Sequence, residues 1–242
     1  MTFRSLISFS LLAAEFTAIL CASVSGTVEL TGQRNASARK RKDYSGVVVW
    51  LEPLGGHAPL PVAARRAEMV QKDKKFSPHI LAVPVGTQVD FPNFDPIFHN
   101  AFSSFSGQPF DVGLYPPGTS RSVTFKRDGV VRVFCNIHQT MSAIIVVLKT
   151  PWFAVTNAQG GFQIAGVPPG EYRLRVFDER APADVLKSLE RKVTVDSAGA
   201  NTDLPPIAIS EAGYLPAPHK NKYGADYPPA SDDHTFYPGV KK

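Results

Sequence analysis

One short segment of the chain holds residue types that could bind a metal ion. Cys135, His138 and Met141 follow one another at intervals of three residues, directly after a run that contains Val131 and Val133. Because successive side chains of a strand point to opposite faces, Cys135 is predicted to share the inner face of the two valines. A short loop after this strand can then present a thiolate, an imidazole and a thioether to one point.

A second imidazole has to come from another part of the chain. His99, in the sequence Ile97-Phe98-His99-Asn100, lies 36 positions before Cys135, so a different loop must bring it to the site. One thiolate, two imidazoles and a weak thioether form the ligand set of blue-copper electron-transfer sites. The residue types therefore predict a copper site made of His99, Cys135, His138 and Met141.

Each of these residues also has an ordinary structural explanation. A lone Cys on a strand is usually a small buried side chain, and a single Met usually fills a core. Zinc would favour a closed set of Cys and His without Met, and a catalytic Cys–His pair lacks a setting for acyl transfer at a strand end. The sequence contains no Cys-x-x-Cys-His motif for a c-type haem and no His-x-His pair for a multicopper cluster. Copper is the favoured interpretation, with zinc and simple packing as alternatives.

The N-terminal segment has the order of features that is typical of a secretory signal peptide. Arg4 precedes an apolar run over residues 6–20, and small residues follow it. A membrane span is disfavoured, because it needs about 20 consecutive apolar residues. We predict a signal peptide over residues 1–25 and export of the chain. Its removal would take away Cys21 and leave Cys135 as the only thiol.

The composition favours a β-protein with many turns. Among 242 residues there are 18 Gly and 21 Pro, and charged residues are only 19% of the chain. No stretch shows a long apolar period of 3.6 residues, which disfavours a helical bundle. Two cysteines are too few for a disulfide framework, and a net charge of +5 is too small to indicate nucleic-acid binding. We therefore predict an all-β fold.

Short alternating runs separated by turns predict two β-domains. The middle segment, residues 66–149, reads as a β-sandwich. Further strands fall in residues 26–65 and 150–210, and the second of these segments contains a Gly/Pro-rich turn. The tail, residues 211–242, is rich in Tyr and Pro and is predicted to be irregular. The predicted strands of the middle segment are Ile80–Val85, Gln88–Phe91, Ser122–Phe125, Val130–Phe134 and Ala143–Leu148.

The stretch from about Glu68 to Leu148 resembles the cupredoxin family, which includes plastocyanin-like and amicyanin-like blue-copper domains. Its motifs follow the order seen in those proteins, and the loop from Cys135 to Met141 is especially similar to the amicyanin loop. The other motifs that carry the resemblance are Phe76-Ser77-Pro78, Val85-Gly86-Thr87, Val89-Asp90-Phe91 and His99-Asn100.

This resemblance implies a Greek-key β-sandwich that holds one type 1 copper ion per chain. By similarity, His99, Cys135, His138 and Met141 would be the ligands. Asn100 would lie behind them and connect the two ligand-bearing loops, as residues around metal ligands commonly do. The sequence departs from the amicyanin pattern at the residue after His138, where Gln replaces the usual Pro.

The flanking strands resemble a transthyretin-like domain, the small β-sandwich found in carboxypeptidase regulatory regions and in carbohydrate-binding-like folds. Thr27–Leu30 and Gly46–Leu51 precede the middle segment, whereas Thr156–Gly160 and Gly166–Tyr172 follow it. We predict that the cupredoxin-like segment is inserted into this second domain. The whole arrangement resembles bacterial proteins called methylamine utilization proteins, which implies a periplasmic location.

Together these expectations describe a periplasmic one-electron carrier that is not an enzyme. His138 would pass electrons at the surface end of the site, and Pro96, Ile97 and Phe98 would form an apolar rim for a transient redox protein partner. Neither a nucleic-acid partner nor a membrane span in the mature chain is expected. The alternative is a non-redox copper-binding or sensing module whose β-domain docks a protein partner or a glycan.

Overall fold

A computed structural model describes residues 22–32, 43–55, 65–104, 107–196, 200–214 and 219–227. Within them the chain forms eighteen strands and one helix, α1 (Ala183–Ser188), so the predicted all-β fold is confirmed. No helix among these residues is long and apolar enough to cross a membrane. The strands are β1 (Ala22–Thr31), β2 (Val48–Pro53), β3 (Arg66–Glu68), β4 (Val70–Lys72), β5 (Lys75–Ser77), β6 (Ile80–Pro84), β7 (Gln88–Pro92), β8 (Phe102–Ser103), β9 (Phe110–Asp111), β10 (Ser120–Thr124), β11 (Gly129–Phe134), β12 (Ser142–Leu148), β13 (Phe153–Val155), β14 (Gly161–Val167), β15 (Gly170–Phe177), β16 (Arg191–Val195), β17 (Thr202–Asp203) and β18 (Ile207–Ser210).

The first two strands pair with strands from the other end of the chain. β1 is antiparallel to β14 and parallel to β17 and β18. β2 lies between β13 and β15, and β16 completes that sheet. The two sheets enclose one apolar core, in which Leu51 pairs with Leu174 across the β2–β15 ladder. Strands that precede the middle segment thus pair with strands that follow it; the insertion of the cupredoxin-like segment into a second domain stays a prediction.

Residues 65–148 form sheets and a core of their own. A five-stranded sheet in the order β6-β12-β11-β8-β9 packs with the three-stranded sheet β10-β7-β3 and with the β4–β5 hairpin. Large apolar side chains such as Phe91, Phe125 and Ile145 fill the space between them. Cys135 lies in the same core and is fully buried, as its alternation with the preceding valines predicts.

Strand β12 is apolar on both faces because each face meets a different part of the protein. Its odd-numbered residues from 143 to 147 belong to the core of the middle segment. Its even-numbered residues from 144 to 148 form a smaller cluster with Val48 and Phe177 of the neighbouring sheet. We call this second cluster the seam. A continuous apolar run is the pattern expected of a strand that is buried on both faces.

Near the seam, a polar contact joins the middle segment to the segment that follows β15. His79 Nε2 lies 2.7 Å from Glu179 Oε2, and His79 Nδ1 lies 3.1 Å from the carbonyl oxygen of Ser142. The hydrogen bond with Glu179 raises the pKa of His79 against the opposing effect of burial. Burial alone would raise the pKa of Glu179, but the contact with His79 and the charges of Arg132 and Arg180 lower it below its ordinary value.

We expect the variant His79→Gln to have a flatter dependence of stability on pH. A group whose folded-state pKa is raised stabilises fully below its unfolded pKa, about 6.5 for His, and this contribution is lost as pH rises through the folded value. Urea unfolding without added copper should therefore show the wild type losing stability as the pH rises above about 6.5. The difference should stay below about 1 kcal/mol, because the His79 side chain is 49% exposed. Glu179→Gln should reduce the loss of stability over the same pH range. Parallel curves of stability against pH for the wild type and both variants would contradict the prediction.

Strand β1 begins at Ala22, inside the segment predicted to be a signal peptide. The first 21 residues of that segment lie outside the described residues. Val24 is fully buried between the sheets, and the Ser25 hydroxyl donates a hydrogen bond to Asp203. Cleavage after Ser25 would remove four residues of a strand that is paired on both sides; the signal peptide over residues 1–25 stays a prediction.

Candidate metal centre

The hairpin loop between β11 and β12 carries three of the predicted ligands. The N–H of Cys135 donates to the carbonyl oxygen of Met141 at 3.1 Å, and the N–H of Met141 donates to that of His138 at 3.0 Å. These two bonds close the base of the loop. Cys135 and Met141 are fully buried, whereas His138 is half-buried. The loop thus holds His138 nearer to the surface than the thiol.

His99 reaches the same place from the segment between β7 and β8. Its N–H donates to the carbonyl oxygen of Tyr115 at 3.2 Å, and the N–H of Tyr115 donates back at 2.9 Å. The buried Tyr115 hydroxyl donates to the carbonyl oxygen of Phe91 at 2.8 Å and accepts a hydrogen bond from Gln71. Burial raises the pKa of Tyr115 well above its ordinary value, so this hydroxyl keeps its proton. The hydrogen bonds of the buried Tyr115 therefore fix the backbone of His99.

Three side chains converge on one point. His99 Nδ1 lies 3.9 Å and His138 Nδ1 lies 3.8 Å from Cys135 Sγ. All three ligand atoms lie within 4.8 Å of one another, and this is the one such group among the residues that the structure describes. The two imidazole rings meet edge-on, with their centroids 5.0 Å apart. Met141 belongs to the apolar core that also contains Cys135.

Asp95 orients His99, a role that the sequence analysis missed. Its Oδ2 lies 2.7 Å from His99 Nε2 and accepts the N–H of Lys74, while its Oδ1 accepts the N–H of Asp73. Burial raises the pKa of Asp95, but these hydrogen bonds outweigh it, so the pKa lies below its ordinary value. The ionised carboxylate keeps a proton on Nε2 and leaves the lone pair of Nδ1 directed toward Cys135.

Asn100 connects the two segments that carry the candidate ligands. Its Oδ1 accepts the N–H of Asn136, in the ligand loop, at 3.3 Å. Its Nδ2 donates to Asp111 Oδ1 at 2.7 Å and to the carbonyl oxygen of Gly113 at 3.0 Å. The side chain therefore connects its own segment, the ligand loop and residues 111–113 through one amide group; its role around a bound metal stays a prediction.

The Cys135 thiol is buried among backbone N–H groups. Burial raises its pKa, and hydrogen bonds from the backbone of Ile137, His138 and Asn100 offset only part of that rise. Because the pKa stays above its ordinary value, the sulfur keeps its proton at neutral pH when no cation is bound. A metal ion that binds there must displace this proton.

Apolar side chains are exposed on the two segments that position His99. Of the predicted rim, Pro96 is exposed, while Ile97 and Phe98 are half-buried. Two further residues extend the apolar surface, Phe94 at 62% exposure and Leu114 at 54%. The exposed apolar side chains of these segments therefore include Phe94 and Leu114, which the sequence analysis did not name.

Parts of the chain are similar to solved structures of copper proteins. A purple cupredoxin from Nitrosopumilus maritimus is 24% identical, with 34% of this chain and 99% of that one covered and a TM-score of 0.32. A reduced Cu(I) form of an amicyanin mutant is 20% identical, with 41% and 98% covered and a TM-score of 0.33. A copper-containing nitrite reductase from Thermus scotoductus SA-01 is 23% identical over 50% of this chain, with a TM-score of 0.33, and the match spans 28% of that chain. No family model and none of the curated proteins matches the chain.

Proposed function

We propose that the middle segment holds one type 1 copper ion and acts as a one-electron carrier. His99, Cys135 and His138 would be the strong ligands, with Met141 as a weak fourth ligand. The observation that carries the proposal is the convergence of one thiol and two Nδ1 atoms at a buried point. This donor set suits both Cu(I) and Cu(II).

The spacing of the donor atoms fits an ion at their centre. With a metal–sulfur distance of about 2.3 Å and a metal–nitrogen distance of about 2.0 Å, ligands at about 120° place S and N about 3.7 Å apart. A tetrahedral angle would place them about 3.5 Å apart. Both values lie close to the distances of 3.9 and 3.8 Å between the sulfur and the two nitrogens. A donor set of one Cys and two His, with a Met in the same loop, is typical of blue copper.

Copper would supply the one-electron chemistry, and the residues of the chain hold its environment constant. Asp95 keeps Nε2 of His99 protonated, so Nδ1 is ready to bind without rearrangement. The backbone bonds at the base of the loop fix Cys135 against Met141. His138 is the most exposed of the three strong ligands and offers the route to the surface. Because protein donors fill the site, we propose a carrier rather than an enzyme.

The proposed partner is a redox protein that binds transiently to the apolar surface around Phe94, Pro96 and Leu114. Transient redox encounters bury small areas, so a patch of this kind suffices. We also propose a periplasmic location. The outer strands would form a transthyretin-like domain that carries the copper segment as an insertion, as in the methylamine utilization proteins that the sequence resembles.

Titration of the purified chain with Cu(II) tests the proposal. We expect one equivalent to bind, with an intense visible thiolate-to-copper band that disappears on reduction and returns on reoxidation. Since the Cys135 thiol must lose its proton, apparent affinity should fall about tenfold for each pH unit of acidification while the thiol is protonated. A colourless complex would contradict a blue-copper site. A band that does not return after reoxidation would favour the non-redox copper-binding module.

A further inference from the structure

A C-terminal segment lies across the ligand loop. We call residues 219–227 the strap. The sequence analysis predicted an irregular tail here. In the structure the His219 ring stacks on Phe134 with centroids 4.0 Å apart and planes 24° apart. His219 Nε2 donates to the carbonyl oxygen of Gln139 at 2.7 Å. The ring of Tyr227 packs edge-on against His219 at 5.2 Å.

The strap binds the loop on both sides of His138. Before His138, the Tyr227 hydroxyl donates to the carbonyl oxygen of Cys135 at 2.8 Å, and the N–H of Lys222 donates to Asn136 Oδ1 at 3.0 Å. After His138, the loop is held through the His219 contact. Burial raises the pKa of Tyr227 to about 12, so its hydroxyl stays protonated and remains a donor.

An ion pair joins the strap to the bridge formed by Asn100. Lys222 Nζ lies 2.8 Å from Asp111 Oδ2, while Asp111 Oδ1 accepts the side-chain N–H of Asn100. The hydrogen bond with Asp111 raises the pKa of Lys222. Burial raises the pKa of Asp111, but the contacts with Lys222, Gly113 and Asn100 outweigh it and lower the pKa. Both shifts favour the charged pair, which extends the anchoring from the strap to the segment that carries His99.

We propose that the strap is a positioning element that holds the ligand loop in its binding conformation before any metal arrives. Two backbone bonds close the base of the loop, and the strap adds contacts to Cys135, Asn136 and Gln139 on its outer side. A loop ordered in advance has less conformational freedom to lose on binding. The expected effect on copper binding rests on the proposed function, whereas the restraint of the ligand loop by the strap does not.

Backbone hydrogen exchange of the metal-free chain tests the restraint directly. Tyr227→Phe removes one hydroxyl and keeps the ring, and His219→Ala removes both the stack and the bond to Gln139. In both variants we expect exchange of the peptide around residues 134–141 to be about tenfold faster. The matched control is Tyr214→Phe, which removes a tyrosine hydroxyl outside the strap and should leave exchange unchanged.

Copper release to a chelator gives the second measurement. The strap variants should release copper about tenfold faster than the wild type, within the range known for residues that support metal ligands. Unchanged exchange in both folded variants would overturn the proposal. If the strap variants exchange faster but the wild type binds no copper, the restraint of the loop is supported and the proposed function is rejected. Should His219→Ala fail to fold in a urea titration, Tyr227→Phe decides the result alone.

Discussion

Replacing Cys135 with Ser should abolish the visible thiolate-to-copper band and weaken copper binding at least about 100-fold, beyond the usual effect of losing a supporting residue. The serine hydroxyl does not ionise near neutral pH, so the site would keep two imidazoles but no anionic soft ligand. The side chain is fully buried and the replacement is close in size, so the fold should persist. Absorbance titration and chelator competition would measure both effects.

A matched control separates ligation from the loss of a sulfur atom in the core. Met69 is another fully buried sulfur residue of the same core, and its change to Leu keeps the volume. Met69→Leu should keep the band and the affinity. If Cys135→Ser retains the colour, Cys135 is not the thiolate ligand. If Met69→Leu loses the colour as well, the loss in Cys135→Ser comes from disruption of the core and not from removal of a ligand.

Replacing Asp95 with Ala should have the largest effect on stability. Its carboxylate accepts hydrogen bonds from the backbone of Asp73 and Lys74 and from His99. The bond with His99 is buried and the two bonds with the turn are part-buried, so we expect a loss of about 3 kcal/mol, since a lost hydrogen bond at such a site costs about 1–3 kcal/mol. Copper affinity should also fall about 10–100-fold, since the variant loses the carboxylate that keeps the proton of His99 on Nε2.

Urea unfolding of the metal-free variant at several pH values would measure this loss. A group with a lowered folded-state pKa stabilises above its unfolded value, about 3.9 for Asp, and its contribution is lost as pH falls through the folded pKa. Asp95→Ala should therefore flatten the acid limb of the stability curve. Asp128→Ala is the control, because its pair with Lys149 is exposed and contributes about 0–1 kcal/mol. Equal losses from the two variants would contradict the role of Asp95.

The longer strands could be predicted because apolar alternation is a local property. β7, β11 and β12 lie within one or two residues of the runs predicted for them. The short β4–β5 hairpin could not be predicted, because three residues per strand carry too little periodicity. Its turn at Asp73 and Lys74 has positive φ angles of 54° and 55° at residues other than Gly. The carboxylate that binds both turn amides belongs to Asp95, which lies on a different segment.

The candidate ligands could be predicted, whereas their supports could not. Cys135 and His138 share one loop, so their spacing alone indicated a site. Asp95 lies four residues before His99, a spacing that places side chains together on a helix but carries no such meaning in a loop. The His219–Gln139 contact spans 80 positions, and no sequence pattern relates the two residues.

The pairing of β1 has a consequence for the order in which the protein assembles. Its partners β14, β17 and β18 come from the far end of the described chain, and the Ser25–Asp203 contact spans 178 positions. Every strand pair of residues 65–148, by contrast, lies within that segment. During synthesis the N-terminal part emerges first and long-range pairing is slow, so β1 and β2 must wait while the middle segment completes its sheets. The sheets that carry the candidate ligands can thus form before β1 and β2 pair with the later strands, and the strap, which follows β18, is the last part of the described chain to reach the ligand loop.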